Sequence, residues 1–263
     1  MRKIILIFIL FFSLSVQAQN YGALDRRAKN APEKVAMTQK GLVDYLTENL
    51  RKDSEKARVL AAWIAYQVQR DGYRRKVLIQ YSNQNREAPK PLNNNTFVTR
   101  IGTPQDFAQL YQQLGTLAGL EVAVIEGYVG DDISAFRYSD PAFQAIEVLT
   151  NNWLYNNKSL QRYRAEWNAV KIGQEWHLVD TYQMIANPNL FEAQSVQSES
   201  AMERFLHKRQ IQRPKSSVLT SGKYINDDYF FAKPSQFIKT HFPFDPKWQL
   251  LPTPWTWAVF TDQ

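Results

Sequence analysis

Leu42, Tyr45, Leu46 and Leu50 fall on one stripe of a helix predicted over 38–50, the second of two helical stretches in 19–50. Leu60, Trp63, Ile64 and Val68 repeat that spacing in a further helix. Asp53 or Ser54 can cap it, and it is expected to end near Asp71-Gly72. The stretch 101–118 carries the most information. Thr103 is a cap candidate, Pro104 takes the first helical position, where its missing N–H costs nothing, and Asp106 completes a Thr-x-x-Asp capping box. Phe107, Leu110, Tyr111, Leu114, Leu117 and Ala118 mark one buried face, and Gly119 is a suitable stop. Val122 and Val124 then alternate in a strand over 120–129. A hairpin follows, with strands over 166–172 and 175–181 and Gly173-Gln174 as its turn. Helices followed by a helix packed on an antiparallel sheet make an α+β pattern.

Between these elements lie irregular stretches. Residues 82–99 are rich in Asn, Pro and charge and read as a long loop, either a lid or binding segment or an inert insertion. A second loop spans 130–157, with a short helix at 141–149. The stretch 195–221 is polar and basic, and 224–263 is dense in aromatics and proline. No internal repeat is present. At the start, Arg2 and Lys3 precede an apolar run over 4–16 broken only by Ser13 and Ser15, and Val16-Gln17-Ala18 is a small-residue cleavage site. That layout is a secretory signal peptide of bacterial type. The run is shorter than the roughly 20 residues of a spanning helix, so the expectation is cleavage after residue 18, no stable membrane span afterwards, and a periplasmic or secreted protein.

Charge and composition refine the picture. Loss of Arg2 and Lys3 lowers the formal charge from +7 to +5, 30 Lys and Arg against 25 Asp and Glu. Such a balance suits an anionic partner such as a cell-envelope polymer, and equally suits solubility alone. Arg26-Arg27, Arg74-Arg75 and Lys208-Arg209 are scattered rather than gathered in a stripe, so no nucleic acid is expected. The chain has no cysteine, which excludes disulfides, a lipoprotein anchor and any thiol chemistry. Its three histidines show no metal-ligand spacing. No metal or cofactor is expected.

Three segments together resemble the transglutaminase-like superfamily, whose fold is papain-related. The first runs over 55–66 and on through Arg70-Asp71-Gly72-Tyr73, similar to the family's leading helix and the turn after it. The second joins Gly102, Thr103, Pro104, Phe107 and Ala108 to Gly127-Tyr128, where the family reads Gly-x-Cys-x-x-Tyr-Ala and later Gly-Tyr. The third joins Trp167-Asn168 to Trp176, Leu178, Val179 and Asp180, similar to His-x-Trp-Asn and Trp-x-Leu-Val-Asp. In the tail, Asp228-Tyr229-Phe230-Phe231, Thr240-His241-Phe242-Pro243 and Trp248-Gln249-Leu250-Leu251 resemble the kyphoscoliosis-peptidase and cytokinesis-protein subgroup. The resemblance implies a transglutaminase-like core over 19–195, with 196–263 as a linker and an aromatic-rich extension packed on it. It also implies a cysteine protease or transglutaminase ancestry.

The triad that the resemblance implies is degenerate. The cysteine position is Pro104, the histidine position is Ala165, and only the acid, Asp180, remains. A thiolate at a helix N-terminus and a histidine to take its proton are what that chemistry requires. Proline supplies neither, yet suits the first helical position. Thr103 and Asp106 read as cap and cap partner, and Thr103, Asp106, Trp167 and Asp180 are the candidate cleft residues. His177 lies three residues before Asp180, so on a strand the two face opposite ways. His241 reads as structural and His207 as solvated. Three functions stay open. One is a pseudoenzyme that binds a peptide, protein or envelope polymer. Another is a hydrolase or acyl transferase rebuilt around Thr103, Asp106 or Asp180. The last is a cell-wall carbohydrate binder in which Trp153, Trp255 and Trp257, where exposed, stack on sugars; the commoner place for such side chains is the core or the cover of a sheet edge.

Overall fold

A computed structural model describes residues 21–72, 74, 75, 80, 95–130, 158–185 and 225–262. Helix α1 (Gly22–Lys29) leads through a 3-10 turn (Val35–Met37) into α2 (Gln39–Thr47), capped by the Thr38 hydroxyl, which accepts from the Gly41 amide. The second helical stretch is thus shorter than its apolar stripe. Asn49 takes φ 62°, turning the chain, and Leu50 reaches the core from beyond the helix end. Helix α3 (Asp53–Gln67) begins at Lys52 with no side-chain cap, so neither Asp53 nor Ser54 has that role. Asp53 instead pairs with Lys56 at 2.9 Å. The helix also stops earlier than expected. From Val68 the chain is extended, and β1 (Gln69–Arg70) pairs in parallel with β2 (Ile101–Gly102). Of the expected 82–99 loop, Thr96–Thr99 forms a helical turn, α4, and 82–94 lies outside the described residues. The expected helix at 141–149, the 195–221 segment, the signal segment and His207 lie outside them too.

Helix α5 (Pro104–Leu117) forms where the sequence placed it. Its buried face is Phe107, Ala108, Leu110, Tyr111 and Leu114, while Leu117 is 49% exposed because the last turn rolls away from the core. Gly119, at φ 80°, turns the chain toward β3 (Val122–Val129). A 3-10 turn (Lys158–Tyr163) precedes the hairpin of β4 (Arg164–Ile172) and β5 (Glu175–Val179), whose turn has Gly173 at φ 63°. Strand β5 ends two residues early because Asp180 opens a turn, its carbonyl accepting from the Met184 amide. The tail supplies β6 (Phe230–Ala232), α6 (Pro234–Phe237), β7 (His241–Pro243), a 3-10 turn (Pro246–Gln249) and α7 (Trp257–Thr261).

The antiparallel sheet has the order β6-β5-β4-β3-β7, so the tail forms both edges. Helices pack on one face: Leu42, Leu46, Trp63, Phe107, Tyr111 and Leu114 meet Val170 and Val179. The other face holds Ile125, Ala165, Trp167, Ala169, Leu178 and Phe237. A third cluster, Tyr128, Phe242, Phe244, Trp257 and Phe260, is built almost wholly from the tail. The fold is α+β. Among the described residues no helix is long and apolar enough to cross a membrane.

Candidate functional site

The N-terminus of α5 is closed by its own polar groups. One Asp106 oxygen, Oδ2, accepts from the Thr103 amide, the Thr103 hydroxyl and Arg74 Nη1, each at 2.8 Å. The Arg74 amide in turn donates to Asp71 Oδ1 at 2.8 Å. Thr103 and Asp106 are both buried, as is Pro104. The Thr103 hydroxyl is therefore committed to a carboxylate, and among the described residues no imidazole meets it. Arg70 fixes the neighbouring turn, donating to the Tyr182 carbonyl at 3.0 and 2.6 Å, and Tyr182 lies edge-on to Phe107 at 5.1 Å.

Beside this helix end, Glu166 stands opposite Glu126 in the β3–β4 register. Arg164 pairs with Glu126 at 2.9 Å and leaves Glu166 the poorer partner. Burial, with Glu126 next in weight, pushes the Glu166 carboxyl up to about 7. Asn168, on the same face, donates to the Ala108 carbonyl of α5 at 3.0 Å and to Ala123 at 3.2 Å.

Asp180 belongs to a different cluster. Its Oδ1 accepts from the Gln183 amide at 2.9 Å, and its Oδ2 meets His241 Nε2 at 3.1 Å. His241 Nδ1 meets the Thr240 hydroxyl at 2.7 Å. The imidazole is fully buried, stacked on Phe237 at 3.8 Å and edge-on to Trp167 at 5.2 Å. Ala165 faces the same side as Trp167. It is paired with Gly127, whose missing Cβ would lie 2.5 Å from the Trp167 ring. Helix α5 packs on the opposite side. The four candidate cleft residues thus divide: Thr103 and Asp106 lie at the helix end with Pro104, and Trp167 and Asp180 lie on the far face with Ala165. His177 does not meet Asp180. It stacks on Phe231 at 4.6 Å, and burial lowers its pKa.

The Asp180–His241 contact was not legible in the sequence, because the two are 61 residues apart and no local spacing joins them. The candidate tryptophans that the structure describes take the core reading. Trp257 is 6% exposed in the tail core, Trp255 packs against the same cluster, and Trp153 lies outside the described residues. Among the described residues no group of three or more His, Asp or Glu side chains is placed to hold a metal ion.

Over 242 residues the chain is 24% identical to kyphoscoliosis peptidase of Homo sapiens, covering 92% of this chain and 28% of that protein. It is 22% identical to the same protein of Mus musculus, with the same coverage. Hillarin of Drosophila melanogaster is 23% identical over 250 residues, 95% of this chain and 25% of Hillarin. The chain is a distant relative of the transglutaminase-like superfamily. It spans about a quarter of the length of these curated relatives. No family model matches it. A crystal structure of a TGase superposes at TM-score 0.36 and 10% identity, over 74% of this chain and 39% of that one, too loosely to bear on the site. At the α5 end Asp106 is tied to Thr103 and Arg74, and Asp180 holds the tail histidine, His241.

Proposed function

We propose that the protein is a non-catalytic, transglutaminase-like binding protein, exported to the cell envelope, whose ligand is a peptide or an envelope polymer. The carrying observation is the α5 N-terminus. Pro104 occupies the position where the resemblance expects cysteine, and beside it three donors from Thr103 and Arg74 converge on one Asp106 oxygen. Asp180 acts as an anchor, a role that needs no turnover: it holds His241 and the start of its own turn. The signal-like pattern over 1–18 supports export. The test is mass spectrometry of peptides and cell-wall fragments incubated with the exported protein, beside an Asp180→Ala control. The expected result is fragments retained on the immobilised protein and recovered unchanged. Cleaved or cross-linked products that disappear in the control would overturn the reading.

One observation favours a second reading, a hydrolase or acyl transferase rebuilt around Asp180. The Thr240 hydroxyl, the His241 imidazole and the Asp180 carboxylate form one hydrogen-bonded chain, the order in which hydroxyl, base and acid act in nucleophilic catalysis. Burial of the imidazole weighs against it. Products in the same assay that vanish in Thr240→Val would establish it.

A further inference from the structure

At the hairpin end of the sheet, on the face turned away from α5, two partly buried indoles meet. Trp176 stands opposite Lys171 in the β4–β5 register. The 3-10 turn 246–249 brings Trp248 edge-on to it, with centroids 5.1 Å apart and planes at 89°. Both rings are only partly buried at the rim of the cluster around Trp167. Lys171 Nζ lies 5.8 Å from the Trp176 ring centre, and Lys247 Nζ lies 5.3 Å from that of Trp248. Each ammonium also meets a carboxylate, Glu121 at 3.0 Å and Asp245 at 2.7 Å. Although burial opposes it, Lys247 lowers the Asp245 pKa, which keeps that pair ionised. The hairpin tip, Gly173 to Glu175, is exposed beside them.

The chemistry of this corner narrows its ligand. The two ion pairs cancel, so an anionic polymer gains no net attraction there. An apolar peptide helix would strand four charged groups. A pyranose ring matches both parts: its C–H face lies on an indole as other flat, weakly polar faces do, and its hydroxyls both donate and accept, as ammonium and carboxylate side by side require. We propose that the Trp176–Trp248 corner is a binding surface for a neutral polysaccharide of flat, equatorially linked pyranose units. The inference deepens the binding reading by naming one polymer class, and it rests on that reading only for the envelope setting. Its place is the far end of β4 from Pro104 and Glu166.

The test is a titration of the isotope-labelled exported protein with three β-1,4-linked probes: chitohexaose, cellohexaose and xylohexaose. At least one is expected to shift the indole N–H signals of Trp176 and Trp248 while those of Trp255 and Trp257 stay in place, and polyglutamate is expected to move neither pair. Loss of an aromatic stacking partner weakens binding by about tenfold. Trp248→Ala should show that loss, and Trp248→Phe should keep most of the affinity. The melting temperature of each variant separates lost binding from lost fold. Binding by none of the three sugars overturns the inference, as do shifts confined to other tryptophans or a well-folded Trp248→Ala that binds like the parent. If cell-wall peptides are retained while all three sugars fail, only this inference falls. If neither is retained, the binding reading falls with it.

Discussion

Glu166 faces Glu126 across the β3–β4 pair, and like charges directly opposite one another destabilise a sheet. Its carboxyl is pushed up from 4.5 to about 7 by burial first and by Glu126 second. The unfolded chain releases that proton at lower pH than the folded one. Stability is therefore greatest below about 4.5 and falls as pH rises toward 7, after which this group adds nothing more. Each pKa unit is worth about 1.4 kcal/mol. Discounted for the partial exposure of the side chain, the penalty is about 1–2 kcal/mol at pH 8. Glu166→Gln mimics the protonated form, so it should raise the melting temperature by a few degrees at pH 8 and leave it unchanged at pH 4. An equal rise at both pH values would mean that packing, not charge, sets the effect. Asp180 and His241 make a second residue-scale case. His241→Ala leaves a cavity beneath Phe237 and strips Asp180 Oδ2 of its partner. A cost of about 3 kcal/mol is expected from urea unfolding, with the midpoint lowered and the slope unchanged. A loss below about 1 kcal/mol would mean that the pair is not the anchor described above.

Among the elements, α5 and the β4–β5 hairpin were legible because their signals are local. Thr103, Pro104 and Asp106 lie within one turn, and Gly173 marks its own turn. The ends of α3 were not legible, since tertiary pairing with β2 pulls Val68 to Arg70 straight and overrides the helical pattern. The tail strands were not legible either. Strands β6 and β7 have three residues each, too few for a period, and their partners lie far off in sequence. The same holds for the site: Thr103, Pro104 and Asp106 could be placed together from one helical turn, whereas the face on which Ala165 sits depends on the strand register. Docking of β7 depends on Gly127 in a way that can be tested. An added Cβ would lie 2.2 Å from the Phe242 carbonyl oxygen and 2.5 Å from the Trp167 ring, closer than either neighbour can yield. Gly127→Ala should thus part β7 from β3 and cost about 3 kcal/mol. Hydrogen exchange reads it directly, with protection lost at the amides of Phe242 and of Phe244, whose N–H donates to the Glu126 carbonyl, and kept in α5. Unchanged protection at Phe242 and Phe244 would show that the backbone gives way instead.

At the scale of the whole molecule, one buried cation joins the first described helix to the start of the tail. Helix α3 is buried from Ala57 to Ala65, and Arg58 sits inside that stretch at 1% exposure. Its Nε and Nη2 bind both oxygens of Asp25 in α1 at 2.8 Å, and Nη2 also pairs with Asp227, at the start of the tail, at 2.8 Å. Tyr21 and Phe230 lie against the guanidinium, 4.6 and 5.1 Å from their ring centres. Burial alone would lower the Arg58 pKa, but Asp25 and Asp227 outweigh it and raise it, so the charge persists. A planar fork can serve two carboxylates and two rings at once, which a lysine ammonium cannot. Arg58→Met removes all four contacts. Asp25 and Asp227 keep 20% and 48% of their side-chain surface in water, so they rehydrate in part and the cost stays near 2–3 kcal/mol, below that of breaking a fully buried pair. Arg58→Lys should recover about half of it by keeping one ion pair. The decisive readout is where protection is lost. If this residue holds both segments, hydrogen exchange in Arg58→Met speeds up together at residues 22–29 and 227–232. Loss confined to one of the two segments would mean that each is held by its own apolar contacts, Ala28 with α3 or Phe230 with the core, and that the arginine merely fills the space between them.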